Sequence, residues 1–419
     1  MDHPMSNYDP RQLAELPGEE VFLHFLRCEP CRDSMLAQYE VRKADAAPPA
    51  PAPKRKRPAS RKEAEWLFDA LLRLSSKERT EAVKDARYHR TDLLDLILEK
   101  SAQAQADDVN RADELAWLAI SLASAIDADD VRLRGHLVLA FCLAGNARRM
   151  AGDFTMAESA FDNASFFLSG DPRERGLYCR ALALLRWDQG RLDEAAALLR
   201  HAACAYAEKE EGLEEGACLG LLGLLYTEVE EYFQAIGPLM RAQLALTPAR
   251  RHLWLVARCL LSQVLCLAKE GRSDQARALF ETSGALEAWV QGERARIDWL
   301  RGRIEACLGE TGRAVRSLDA ARLRFLEERR LAEATLASLD LAVLHEVAGR
   351  PEEVERLIAE LEAGSRGLGG ADAALEALRG FVSHELRGTD PCERAAMYSG
   401  QLRQMLRLRN PGSSSLPWI

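Results

Sequence analysis

The chain has 419 residues, 47% of them apolar and 29% charged, which excludes a disordered polymer and leaves room for several domains or one extended array. Ala, Leu, Glu and Arg dominate while Val, Ile and Thr are sparse, a balance that favours helix over sheet. With 56 Lys and Arg against 65 Asp and Glu the net charge is −9, so the global positive field of a typical nucleic-acid binder is missing.

Residues 1–20 carry Asp2, Asp9, Glu15, Glu19 and Glu20 and lack the apolar core of a signal peptide. No apolar run approaches the roughly 18 residues of a membrane span, so the expectation is a soluble, cytoplasmic protein without membrane partners. Within a first segment, residues 1–45, the stretch VFLHFLRCEPCRD spaces His24, Cys28 and Cys31 as His-x3-Cys-x2-Cys. His24 and Cys28 fall one helical turn apart, and Pro30 places Cys31 in the first turn of a following helix. One imidazole and two thiolates suit tetrahedral zinc; a metal-free helical hairpin and a redox dithiol are the other two readings of the same residues. The cluster resembles the zinc-finger segment of zinc-containing anti-sigma factors. That resemblance implies zinc held by His24, Cys28 and Cys31, with His3 the nearest candidate for a further ligand, and a sigma factor or another regulator docked on this segment.

Residues 46–61, AAPPAPAPKRKRPASR, contain five prolines and no large apolar side chain, and read as a semi-rigid linker. Its Lys54–Arg57 run is a solvated charge cluster or, less in keeping with the acidic remainder, a nucleic-acid contact. Residues 62–137 read as a helical lead-in, with Ser75-x-x-Glu78 as a capping box and a degenerate helical pair at 93–125 carrying Ala112, Ala116 and Ala119.

From 138 to 370 the chain repeats itself. Segments beginning at Gly152, Gly190, Glu230, Gly271, Gly309 and Gly349 align at intervals of 38–41 residues. Five residues after each start stands Ala157, Ala195, Ala235, Ala276, Ala314 or Val354; nine after, Phe161, Leu199, Leu239, Phe280, Leu318 or Ile358. Twelve after come Ala164, Ala202, Ala242, Ser283, Ala321 and Leu361. Seven before each start stands Gly145, Ala183, Gly223, Val264, Gly302 or Ala342. The spacing predicts helix pairs joined by a left-handed turn, with small residues admitting a close neighbour and the bulky one filling the groove between. A terminal helical cap at 371–409 and a tail at 410–419 complete the organisation.

At these positions the chain resembles a tetratricopeptide repeat protein. The fold expected is all-α: a helical-repeat, right-handed superhelix with a small N-terminal helical zinc-finger-like segment. The resemblance implies that the first helix of each pair lines a concave groove. Groove positions then include Asn146, Arg149, Arg180, Trp187, Asp188, Glu228, Arg258, Lys269, Arg296, Trp299, Arg303 and Glu346, six basic side chains against three acidic. That balance points to a protein partner, an acidic peptide anchored by Trp187 and Trp299 being the sharpest form.

No phosphate-binding glycine loop, nucleophile elbow or His-Glu-x-x-His motif occurs, and the carboxylates follow the polar faces of helices, so catalysis is not expected. The function expected is a regulatory protein-interaction scaffold. An anti-sigma-like redox sensor using Cys28 and Cys31, and a DNA-associated regulator using Lys54–Arg57, are its competitors; the acidic bulk argues against the second.

Overall fold

The computed structural model describes residues 59–105, 108–126, 131–246, 253–287, 294–364, 371–382, 390–395 and 397–399. Among them all regular structure is helical. The lead-in comprises α1 (Ala59–Leu72), α2 (Ser76–Ala82), α3 (Thr91–Ala104) and α4 (Val109–Ile126). Six pairs follow: α5 (Val131–Met150) with α6 (Phe154–Phe166), α7 (Pro172–Asp188) with α8 (Leu192–Ala207), and α9 (Gly212–Glu228) with α10 (Tyr232–Leu246). Then come α11 (Leu253–Lys269) with α12 (Ser273–Glu287), α13 (Arg294–Cys307) with α14 (Thr311–Glu327), and α15 (Leu331–Val347) with α16 (Pro351–Gly364). Helix α17 (Ala371–Val382) and the helical residues 391–395 and 397–399 close the array. The architecture is a tetratricopeptide-like, right-handed helical-repeat superhelix. Its period exceeds the usual 34 residues because the helices are long, as the 17-residue α7, α9 and α11 show.

The turns explain the repeat starts. Gly152, Gly190, Gly271, Gly309 and Gly349 all have φ between 67° and 82°, the left-handed region that costs glycine nothing. Each closes the preceding helix with paired backbone bonds: Gly152 N–H donates to the Arg149 carbonyl (3.0 Å) and Asp153 N–H to that of Arg148 (2.9 Å). The third pair makes the same turn with Glu230 at φ 64°, where a Cβ is disfavoured. Glu230→Gly is therefore expected to stabilise the chain by about 1 kcal/mol, read as a higher urea midpoint.

The small-to-bulky match is realised atom by atom. A Cβ on Gly145 would lie 2.8 Å from Phe161, one on Gly223 2.5 Å from Leu239, and one on Gly302 2.6 Å from Leu318. Ala157, Ala195, Ala235, Ala276 and Ala314 are fully buried. In the last pair Leu357 is buried in the groove while Ile358 is half-buried, a shift of one residue that accompanies Val354 in place of alanine.

Three apolar clusters run along the array: α1 to α7, α7 to α13, and α13 to α17 with Ala395. The lead-in belongs to the first of these, and Ala112, Ala116 and Ala119 of α4 are buried as the second helix of a further pair. Ser75 and Glu78 form the capping box of α2. Helix α1 starts at Ala59, inside the stretch read as linker: after Pro58 nothing blocks a helix, and Arg61 is held by Glu99 at 2.8 Å. The first repeat helix likewise starts at Val131, ahead of residue 138.

Candidate functional site

The first helices of successive pairs pack on one another: α5 on α7, α9 on α11, α11 on α13 and α13 on α15. Polar side chains tie this inner row together. Gln105 accepts from Asn146 Nδ2 (2.5 Å), Arg149 Nε donates to Asn146 Oδ1 (2.9 Å), and Arg149 Nη1 donates to Asp188 Oδ2 (2.5 Å). One step further, Trp187 Nε1 donates to Glu228 (2.9 Å) and Thr227 meets Cys266 Sγ at 3.4 Å. From α11 to α13 the join is apolar, through Ile297, Leu300 and Ile304. Beyond it Trp299 Nε1 donates to Asp340 (2.7 Å), Arg303 lies 3.8 Å from the same carboxylate, and Arg296 pairs with Glu333 at 3.4 Å. Glu346 accepts from Arg394 at the closing end.

The groove residues expected from sequence fall into two sets. Asn146, Arg149, Arg180, Trp187, Asp188 and Arg258 are buried, so the amino-terminal part of the row is an internal ladder rather than an open lining. Arg180 binds Glu214 at 2.5 Å and sits 5.6 Å from the Tyr206 ring; Arg258 sits over Trp254 at 5.9 Å. Glu228, Arg296, Trp299, Arg303 and Glu346 are half-buried and Lys269 is exposed. Lys269, Arg303 and Glu346 lie in the last turns of α11, α13 and α15, with Trp299 one turn before Arg303, whereas Arg296 lies at the start of α13 and Glu228 ends α9. Arg303 lies 5.7 Å from the Trp299 ring. Burial opposes the Arg303 charge, but Asp340 and Tyr232 beside it raise its pKa above the ordinary guanidinium value. Lys269 and Asp340 lie near enough to Cys307 and Cys392 to act on both thiols. The patch therefore combines an indole face, two cations and a carboxylate, suited to hydrogen bonding a peptide and stacking on its side chains.

Sequence reasoning missed Glu214, Glu333 and Asp340. They neutralise Arg180, Arg296 and Arg303, so the inner row is less basic than the count of groove positions implies. Pairs separated by 34–41 residues across two helices leave no local signal; only the repeat period hints at them.

Burial pushes the thiols of Cys218 and Cys259 up to about 12 and that of Cys266 to about 11, and it raises Cys142 and Cys179 as well. These five are small core residues without thiolate character. In the native chain at neutral pH, iodoacetamide should modify exposed Cys204 before any of them, and reach them only after denaturation, as peptide mass spectrometry would record. His3, His24, Cys28 and Cys31, with Lys54–Arg57, lie outside the described residues. Among the described residues no three His, Cys, Asp or Glu side chains gather as metal ligands, and no helix is long and apolar enough to cross a membrane.

No family model and no curated protein sequence matches this chain. Solved structures do. A Rap protein complexed with Competence and Sporulation Factor is 13% identical and superposes with a TM-score of 0.57 over 77% of this chain and 88% of its own. NprR in complex with its cognate peptide NprX is 14% identical, with a TM-score of 0.50 over 74% and 88%. Aspartyl phosphate phosphatase F from Bacillus subtilis is 16% identical, with a TM-score of 0.50 over 86% and 97%. At these identities the shared property is the helical-repeat fold.

Proposed function

We propose that this chain is a non-enzymatic regulatory scaffold whose inner helical row holds a peptide or an exposed segment of a protein partner. The contact would centre on Lys269, Trp299 and Arg303. The observation that carries this reading is the cluster of half-buried Trp299 and Arg303 beside exposed Lys269, toward the ends of α11 and α13, on a fold whose solved likenesses include two peptide complexes. Because Arg296 and Arg303 already face Glu333 and Asp340, the occupant is recognised by stacking and hydrogen bonds more than by net acidity. The resemblance to a protein named as a phosphatase is one of fold and carries no residue roles to this chain.

The test is selection of displayed random peptides on the full chain, followed by binding to Lys269→Glu and Trp299→Ala. Each variant is expected to weaken the selected peptides tenfold or more, about 1.4 kcal/mol or greater, with unchanged circular dichroism. Undiminished binding to both variants would discard the site. Zinc held by His24, Cys28 and Cys31, and a regulator docked there, stay part of the proposal on the donor set alone. Zinc measured in the purified chain and lost in Cys28→Ser is the expected result; a metal-free wild-type chain would remove it.

A further inference from the structure

The terminal residues 390–395 and 397–399 touch the inner row itself. Arg394 donates to Glu346, in the last turn of α15 and on the groove register, and its guanidinium lies over the Phe381 ring of α17 at 5.0 Å. Trp299 of α13 and Tyr398 both pack against the small cluster of Leu336 and Ala377. Cys392 lies near Cys307 at the end of α13, within reach of the Lys269 and Asp340 charges. The seat on α17 is specific: a Cβ on Gly380 would stand 2.5 Å from the Tyr398 ring. One short segment thus comes close to the ends of α11, α13 and α15, where Lys269, Trp299 and Arg303 form the centre of the proposed site.

Little apolar burial holds this segment down. Among its described residues only Arg394 and Ala395 are buried, at 4% and 7% exposure, while Cys392, Glu393 and Met397 are exposed. Helix α16, by contrast, buries Val354, Leu357 and Leu361. Apolar stabilisation follows the area removed from water, so the attachment depends chiefly on Arg394. Lifting the segment carries Arg394 into water and leaves Glu346, already 36% exposed, facing solvent. Neither charge is then left buried and uncompensated. The Arg149–Asp188 pair differs, because both of its members belong to repeat helices of the array.

We infer that residues 390–395 and 397–399 are a built-in cover over the carboxy-terminal part of the inner row, which a ligand must displace to reach Trp299 and Lys269. The inference rests on the binding site proposed above and says what regulates it. A cover closed about nine-tenths of the time weakens every ligand about tenfold relative to the open site.

The test uses the full chain with Arg394→Glu, which sets two carboxylates face to face, and with the reversed pair Arg394→Glu plus Glu346→Arg. Two quantities are measured on each. The first, without any ligand, is the rate at which N-ethylmaleimide modifies Cys307, half-buried beside Cys392. The second is affinity for the peptides selected on the chain. Arg394→Glu is expected to raise both about tenfold. The reversed pair should return both toward wild type, a coupling that general loss of folding would not produce. Unchanged Cys307 modification, or unchanged affinity for peptides that need Lys269 and Trp299, would overturn the inference. Peptides indifferent to Lys269→Glu and Trp299→Ala would remove the binding site itself, and the inference with it, even where Cys307 modification rises.

Discussion

Asp188→Ala is expected to cost about 3–5 kcal/mol. Its partner Arg149 has no exposed surface and Asp188 only 3%, so removing the carboxylate takes the opposite charge away from a guanidinium inside the array. Arg149 also holds Asn146, which holds Gln105, so the vacancy is felt from α7 back to the end of α3. The paired change Arg149→Met with Asp188→Leu removes both charges and should recover most of the loss, because two buried charges cost desolvation that two apolar side chains do not. Urea titrations of the three variants read this directly. If Asp188→Ala lost no more than an exposed carboxylate would, the ladder would be ornament.

Gly223→Val should cost about 3 kcal/mol or more. A first carbon there would already stand 2.5 Å from Leu239 Cγ and 3.1 Å from the Leu239 backbone nitrogen, and the backbone cannot retreat without moving α10. Helix α9 has little room to shift the other way, because α11 packs on it there: a Cβ on Gly220 would lie 3.1 Å from Cys259 Sγ. Combining Gly223→Val with Leu239→Ala should restore part of the stability by opening room, a coupling that a double-mutant cycle measures. Additive losses would mean that the two positions do not share one contact.

The contrast between these predictions shows what a reader of the sequence can reach. Gly223 and Leu239 are both marked by the repeat alignment, because close packing restricts residue size at the same place in every pair. Asp188 also lies on the groove register, but its burial does not show: a charged residue in a list of groove positions looks like lining until the neighbouring helix is seen against it. Glu214, Glu333 and Asp340 are less legible still, since their importance comes from the arginines they meet across two helices. Glu230 illustrates a different limit. The repeat predicts a turn there, and the turn forms, but a left-handed glutamate is visible only in backbone angles.

The inner row divides in two: its buried amino-terminal part locks the helices, and the proposed binding site falls in its half-buried carboxy-terminal part. Amide hydrogen exchange on the full chain, with and without a peptide selected on it, tests that division most directly. The expected result is slowed exchange in α11, α13 and α15 around Lys269, Trp299 and Asp340, with α6, α8 and α10 unchanged. Slowing confined to those outer helices, or none at the ends of α11 and α13, would contradict it.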